Sequence, residues 1–166
     1  MKHLLIIRHA KSSWDFLDMD DFDRPLNERG NNDAPKMARR LIKKDITIDA
    51  FVSSPAKRAL TTASIFAGAY DVKQKHIIQV PSLYEASSSE FYNVVASLDN
   101  SFKTVAIFSH NPGITDFANT LTKVRLDNIP TCGIFAIKVD LKSWGDFAGA
   151  EKEFWFFDYP KNEGDS

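Results

Sequence analysis

Cysteine is almost missing from this chain: Cys132 is the only one in 166 residues. An internal disulfide and a cysteine-built metal cluster are thereby excluded, and the usage suits a reducing cytoplasm, with Cys132 itself read as a small buried apolar residue. An excess of either charge is missing too. Lys and Arg number 21 against 22 Asp and Glu, so no bulk attraction to nucleic acid or to an anionic membrane is expected, and any anion site must be local. Long apolar runs are also lacking. The opening MKHLLIIRH holds only four consecutive strong hydrophobes, Leu4 to Ile7, before Arg8 and His9, too few for a signal-peptide core or a membrane span. The expectation is a cytoplasmic chain. With no repeat and no low-complexity linker, 1–160 reads as a single domain and 161–166 as a frayed tail.

What is present is a repeated alternation. Short β-rich runs occur at Leu4–Ile7, Ala50–Val52, Ile77–Val80, Thr104–Phe108, Ile134–Val139 and Phe154–Phe157. Between most of them lie segments with helical spacing. Asn27-Glu28-Arg29-Gly30 opens one whose apolar stripe runs through Ala34, Met37, Ala38, Leu41 and Ile42. Ser54-Pro55 is expected to open a second, with Ser54 as N-cap and Pro55 at the first helical position. A third covers about 88–98, and a fourth runs from Pro112 to about Leu121. Strands alternating with helices predict a three-layer α/β/α fold: a mainly parallel central sheet with helices on both faces and an antiparallel edge pair formed by the last two strands.

That architecture predicts where function sits. In open α/β sheets ligands bind beyond the carboxyl ends of the strands, where helix N-termini also point. Three polar clusters fall at such ends, and they are expected to converge: Arg8-His9, Ser53-Ser54-Pro55 leading to Arg58, and Ser109-His110-Asn111. Two histidines and two arginines brought together repel one another, so stability does not require them; a dianion does. Phosphoryl transfer gives each a reason. Its transition state spreads negative charge over three equatorial oxygens, which guanidinium forks suit, and an imidazole with one nitrogen pinned and the other free is a competent nucleophile. His9 ends a continuous strand and precedes small Ala10, which lets backbone approach a bound phosphate. It is assigned as nucleophile, and His110 as the second, charge-stabilising imidazole.

Arg8-His9-Ala10, followed by Lys11-Ser12-Ser13-Trp14, resembles the signature of the histidine phosphatase (phosphoglycerate mutase-like) superfamily, whose usual form is Arg-His-Gly. Further resemblances follow in the family's order: Leu26-Asn27-Glu28-Arg29-Gly30, then Ser53-Ser54-Pro55 through Arg58-Ala59 to Thr62-Ala63, then Leu83-Tyr84-Glu85 and Phe108-Ser109-His110. The likeness spans about residues 3–158. It implies a transiently phosphorylated His9, with Arg8, Arg58 and His110 holding the phosphoryl group and water completing hydrolysis without metal or other cofactor. Glu85 stands where the family carries an acidic residue and is a candidate general acid. The short length, Ala10 and Asp23-Arg24-Pro25-Leu26 resemble the SixA-type phosphohistidine phosphatases, which makes Arg24 a candidate phosphate contact and Ser12 a hydroxyl near the phosphate. Asp15 stands where many mutases carry asparagine, which argues against sugar-phosphate mutase activity.

The expected function is therefore a metal-independent phosphatase acting on protein phosphohistidine, with a phosphorylated protein as partner, no nucleic acid, no membrane and a monomeric state. Little sequence is left for a lid, which favours a site open to a protein-borne phosphoryl group. The acidic stretch Asp18–Asp23 reads as a solvated loop, and His3 and His76 receive no role. Two alternatives stand beside this reading. One is a broad-specificity phosphomonoesterase of small esters; the other is a non-catalytic phosphate-binding module, which would have no need of a nucleophile.

Overall fold

The strand that opens the chain alternates its side chains between two cores, and this is why its hydrophobic run is continuous. In β1 (Lys2–Arg8) Leu4 and Ile6 face one core, with Phe91, Phe117 and Trp144, while Leu5 and Ile7 face the other, with Met37, Phe66 and Cys132. All four are completely buried, each worth about 1.5–3 kcal/mol of transfer free energy. The computed structural model describes residues 1–15 and 18–162. Of the expected frayed tail, 163–166 lie outside the described residues.

The remaining elements are α1 (Glu28–Lys43), β2 (Ala50–Ser53), α2 (Lys57–Ala69), β3 (Ile78–Gln79), α3 (Ser88–Ala96), β4 (Thr104–Ser109), α4 (Gly113–Leu121), β5 (Ile134–Val139) and β6 (Lys152–Asp158). The sheet order is β3-β2-β4-β1-β5-β6. The first four are parallel; β5 runs antiparallel to β1, and β6 antiparallel to β5. Helices α1 and α2 pack together on one face, and α3 and α4 on the other. This is the expected three-layer α/β/α arrangement with its antiparallel edge pair.

Local chemistry explains the helix limits. Asn27 caps α1 by accepting the Gly30 N–H at 2.9 Å; of the predicted stripe, Ala34, Met37, Ala38 and Leu41 form the buried face, whereas Ile42 is exposed. Both α1 and α2 end in Schellman turns with aspartate, Asp45 and Asp71, in the left-handed position (φ 60°). Two expectations need correction. Helix α2 begins at Lys57 behind Ala56, not at Ser54-Pro55, because the backbone is still extended at Ala56 (ψ 138°); the Ser54 hydroxyl accepts the Ala56 N–H at 3.2 Å and bonds His110 Nε2 at 2.8 Å. The run Ile77–Val80 forms only the two-residue β3, since 3₁₀ turns at Gln74–His76 and Pro81–Leu83 take the residues on either side.

Register aligns the functional edge. Arg8 lies opposite Ser109, and Ser53 opposite Phe108, so β1, β2 and β4 release their carboxyl ends at one level. Behind them, α1 approaches so closely that a Cβ on Gly30 would lie 2.2 Å from the Lys11 carbonyl oxygen. Only glycine fits there, which gives the motif glycine its physical reason.

Candidate active site

The Arg8–Ala10 turn is fixed through its backbone. Arg8 N–H donates to the Gly133 carbonyl at 3.1 Å, His9 N–H to Ser109 at 3.1 Å, and Ala10 N–H to the Thr62 hydroxyl at 3.0 Å. Thr62 in turn donates to the Arg58 carbonyl at 2.8 Å, tying the turn to α2. From the other side, the Cys132 N–H is shared between the carbonyls of Arg8 (3.1 Å) and His9 (3.0 Å). Cys132 reaches both by adopting φ 60°, an unusual conformation for a residue with a side chain and one that recurs where surrounding structure over-determines the backbone. Ala10 is fully buried and is not among the residues with positive φ, so the backbone there needs no glycine.

The predicted clusters meet. A cavity of about 440 Å³ is walled by Arg8, His9, Ser12, Arg24, Arg58, Glu85 and His110 together with Lys11, Trp14, Asp21 and Tyr84. The His9 and His110 rings lie 5.2 Å apart, centroid to centroid. His9 Nδ1 donates to its neighbour Ala10's carbonyl at 2.7 Å, leaving Nε2 with its lone pair. For His110, a hydroxyl donation from Ser54 to Nε2 lets Ser54 both accept from Ala56 and donate, and puts the ring N–H on Nδ1. Burial first, then neighbouring cationic charge, holds both imidazoles neutral, each lowered to about 3. The Ala10 carbonyl opposes this for His9, and the Asp21 carboxylate opposes it for His110.

Three buried nitrogens in this wall lack a protein partner: Arg8 Nε, Arg58 Nε and His110 Nδ1. Buried donors are ordinarily paired, so three around one cavity point to an anion. The rest of each arginine is anchored. Arg8 donates to the Ile129 carbonyl at 3.0 Å, and burial, then the Arg58 charge, lowers its guanidinium. Arg58 donates to the Asp21 carbonyl at 2.6 Å and to Asp21 Oδ2 at 3.0 Å. Arg24, expected as a phosphate contact, is buried: it bonds Asp21 Oδ1 at 3.1 Å and the Ser12 hydroxyl at 2.7 Å, and stacks 3.6 Å from the Trp14 ring centroid. Ser12 thus holds Arg24. Glu85 lines the cavity from its exposed rim.

Sequence reasoning missed Asp21, Tyr84, Thr62 and the backbone role of Cys132. The stretch read as a solvated loop supplies, in Asp21, the carboxylate that bonds two of the site's arginines; its spacing of three residues before Arg24 was the available signal. Among the described residues, no group of three or more His, Cys, Asp or Glu is arranged to hold a metal ion, and no helix is long and apolar enough to cross a membrane.

The family model described as histidine phosphatase superfamily (branch 1) matches residues 4–94, from β1 into α3. The chain belongs to the histidine phosphatase superfamily. It is a phosphatase of that superfamily. An uncharacterized chloroplast protein of Arabidopsis thaliana is 26% identical over 151 residues, which cover 86% of this chain and 69% of that one. Among solved structures, a protein histidine phosphatase SixA complexed with tungstate superposes with a TM-score of 0.82 at 21% identity, over 96% of this chain and 98% of the other. A phosphoserine phosphatase of Entamoeba histolytica in complex with 3-phosphoglyceric acid gives 0.70 at 17% identity, over 97% and 98%. Both structures share the fold of this histidine phosphatase.

The neutral histidines make the stability of this phosphatase pH-dependent. Between pH 6.5 and about 3 the unfolded chain binds protons that the folded imidazoles refuse. Their contribution is therefore fully present above pH 6.5 and is lost as pH falls toward 3, at up to about 1.4 kcal/mol per pH unit for each histidine. Thermal melts of the ligand-free protein are expected to show Tm falling from pH 7 to 4.5, and His110→Asn is expected to make that slope shallower by roughly a third to a half. An identical slope in the variant would mean that His110 is protonated in the fold.

Proposed function

We propose that this phosphatase removes phosphoryl groups from phosphohistidine carried on a protein, through a phosphorylated His9. The observation that carries the reading is the set of three buried, unpartnered nitrogens from Arg8, Arg58 and His110 around a neutral, pinned His9. They supply donors for the equatorial oxygens while the free Nε2 attacks phosphorus. The P–N bond to the substrate imidazole breaks as the new P–N bond to His9 forms, and the departing nitrogen takes a proton from solvent. Water then cleaves the His9–phosphorus bond, releasing phosphate and restoring the imidazole. In this scheme Arg24 reinforces the anion site and Ser12 orients it, while Glu85, a carboxylate on the rim, relays a proton from solvent to the leaving oxygen when the substrate is an ester. Exposed Trp14, Asp21 and Glu85 place the cavity at the protein surface, which favours a phosphoryl group borne on another protein.

Two substrates separate this reading from its rivals: a phosphohistidine-bearing protein domain and a chromogenic phosphate ester, each with chelator present. The expected result is a kcat/KM for phosphohistidine at least about tenfold above that for the ester. Ester-only turnover would replace the reading with a small-molecule phosphomonoesterase, and turnover of neither would leave a binding module.

A further inference from the structure

The cavity wall contains an anion of its own, and it is rigidly placed. The Asp21 carboxylate takes hydrogen bonds from Arg58 (3.0 Å), Arg24 (3.1 Å) and the Tyr84 hydroxyl (2.7 Å), and its main-chain carbonyl takes a further one from Arg58 (2.6 Å). Phe22, its neighbour, packs edge-on against Tyr84 at 5.1 Å. Burial works against the charge of this carboxylate, but the Tyr84 bond and the two arginines outweigh it and lower its pKa to about 2. It is an anion at every physiological pH, yet its side chain remains half exposed, on the cavity side of the loop.

Charge around the cavity can be followed group by group. Lys11, Arg8, Arg24 and Arg58 are cationic, Asp21 and Glu85 anionic, and His9 and His110 neutral. The wall thus carries a net of two positive charges, which a phosphoryl dianion balances. Any further negative charge on the leaving group is surplus. Arg58 links the cavity to Asp21: its Nε is buried without a protein partner while its terminal nitrogens hold Asp21. A guanidinium and two hydrogen bonds laid end to end place an oxygen bound at Nε no more than about 8 Å from the Asp21 carboxylate. That separation is within a Debye length at physiological ionic strength, and the low-dielectric wall strengthens the interaction.

We propose that Asp21 is a specificity-determining residue: a fixed carboxylate at the cavity wall that discriminates against phosphoryl donors whose leaving group is anionic and favours those whose leaving group is neutral or cationic, imidazole among them. The inference rests on the phosphate-site reading of the same cavity and deepens it, because the ring of a phosphorylated imidazole is cationic when protonated, whereas a phosphorylated hydroxy acid carries a carboxylate beside its phosphate. Arg24 and Tyr84 act as positioning residues, holding the carboxylate in place.

A matched pair of ligands tests this without requiring turnover. Glycerol 3-phosphate and 3-phosphoglycerate differ in size hardly at all, and the second carries one more negative charge. Calorimetric titration uses the full chain with His9→Ala, which blocks the proposed chemistry, alone and combined with Asp21→Asn or Asp21→Glu. The expected result is a preference of about tenfold or more for glycerol 3-phosphate. That preference should shrink at least about fivefold in Asp21→Asn and persist in Asp21→Glu, which keeps the charge if not the exact reach. Equal affinities in the parent protein, or an Asp21→Asn effect identical for both ligands, would show Asp21 to be a scaffold residue and overturn the proposal while leaving the phosphate site intact. Failure of both ligands and of inorganic phosphate to bind would remove the phosphate-site reading and this inference with it.

Discussion

His9→Ala is expected to abolish acid-labile phosphoenzyme and to lower kcat/KM by about four orders of magnitude, the scale seen when a covalent nucleophile is removed and binding groups are left in place. The geometry favours His9 over the other groups in the cavity for the proposed attack. His9 sits on a turn whose amides are all engaged, its Nδ1 is committed to Ala10 at 2.7 Å, and burial keeps it neutral at working pH. His110, the other imidazole, is tied through Nε2 to Ser54 and would have to break that bond to attack. The change should leave the fold in place, since it removes a buried polar ring from the end of a strand and disturbs none of the backbone bonds that hold the turn. Rapid-quench labelling with a phosphorylated substrate, followed by acid and alkali stability of the label, checks the assignment. Full labelling of His9→Ala would move the nucleophile elsewhere.

Arg58→Ala should cost about three orders of magnitude in kcat/KM, above the ordinary loss of one oxyanion donor, because two functions disappear together. Its Nε is one of the three unpartnered donors, and its terminal nitrogens hold the Asp21 loop through bonds of 2.6 and 3.0 Å. Arg58→Lys should recover only a small part, roughly tenfold, since a lysine ammonium cannot face the anion and Asp21 from two sides of one plane. Steady-state kinetics with both variants checks this. A lysine variant near the parent rate would mean that charge alone matters at that position and that the fork geometry is incidental.

Much of this arrangement was readable from the chain because it is local or periodic. The two-core run Leu4–Ile7, the apolar stripe of α1, the asparagine cap at Asn27 and the polar clusters at strand ends are all set by residues within a turn or two of each other. Alternation of strand and helix then brings Arg8, Arg58 and His110 to one edge. What escaped the sequence depends on contacts between distant segments. Ser54 looked like a cap because Ser-Pro usually is one; only the approach of His110, 56 residues on, turns its hydroxyl into the site. Thr62 and Ala10 are 52 residues apart, and nothing in a helical threonine announces that it will receive a backbone amide from the Arg8–Ala10 turn. Asp21 was lost among other carboxylates, since a cluster of aspartates in a loop is ordinarily solvated and only Arg58 and Tyr84, far along the chain, single this one out.

The cysteine that anchors the Arg8–His9 turn through its amide also has a side chain. Its sulfur is completely buried, and burial pushes the thiol pKa far up, so it has almost no thiolate character. Oxidants and alkylating agents attack thiolates, and the attacking group proposed here is an imidazole. Peroxide concentrations that silence a phosphatase built on a cysteine nucleophile should therefore leave this centre working, so that dephosphorylation by this chain continues through oxidative stress.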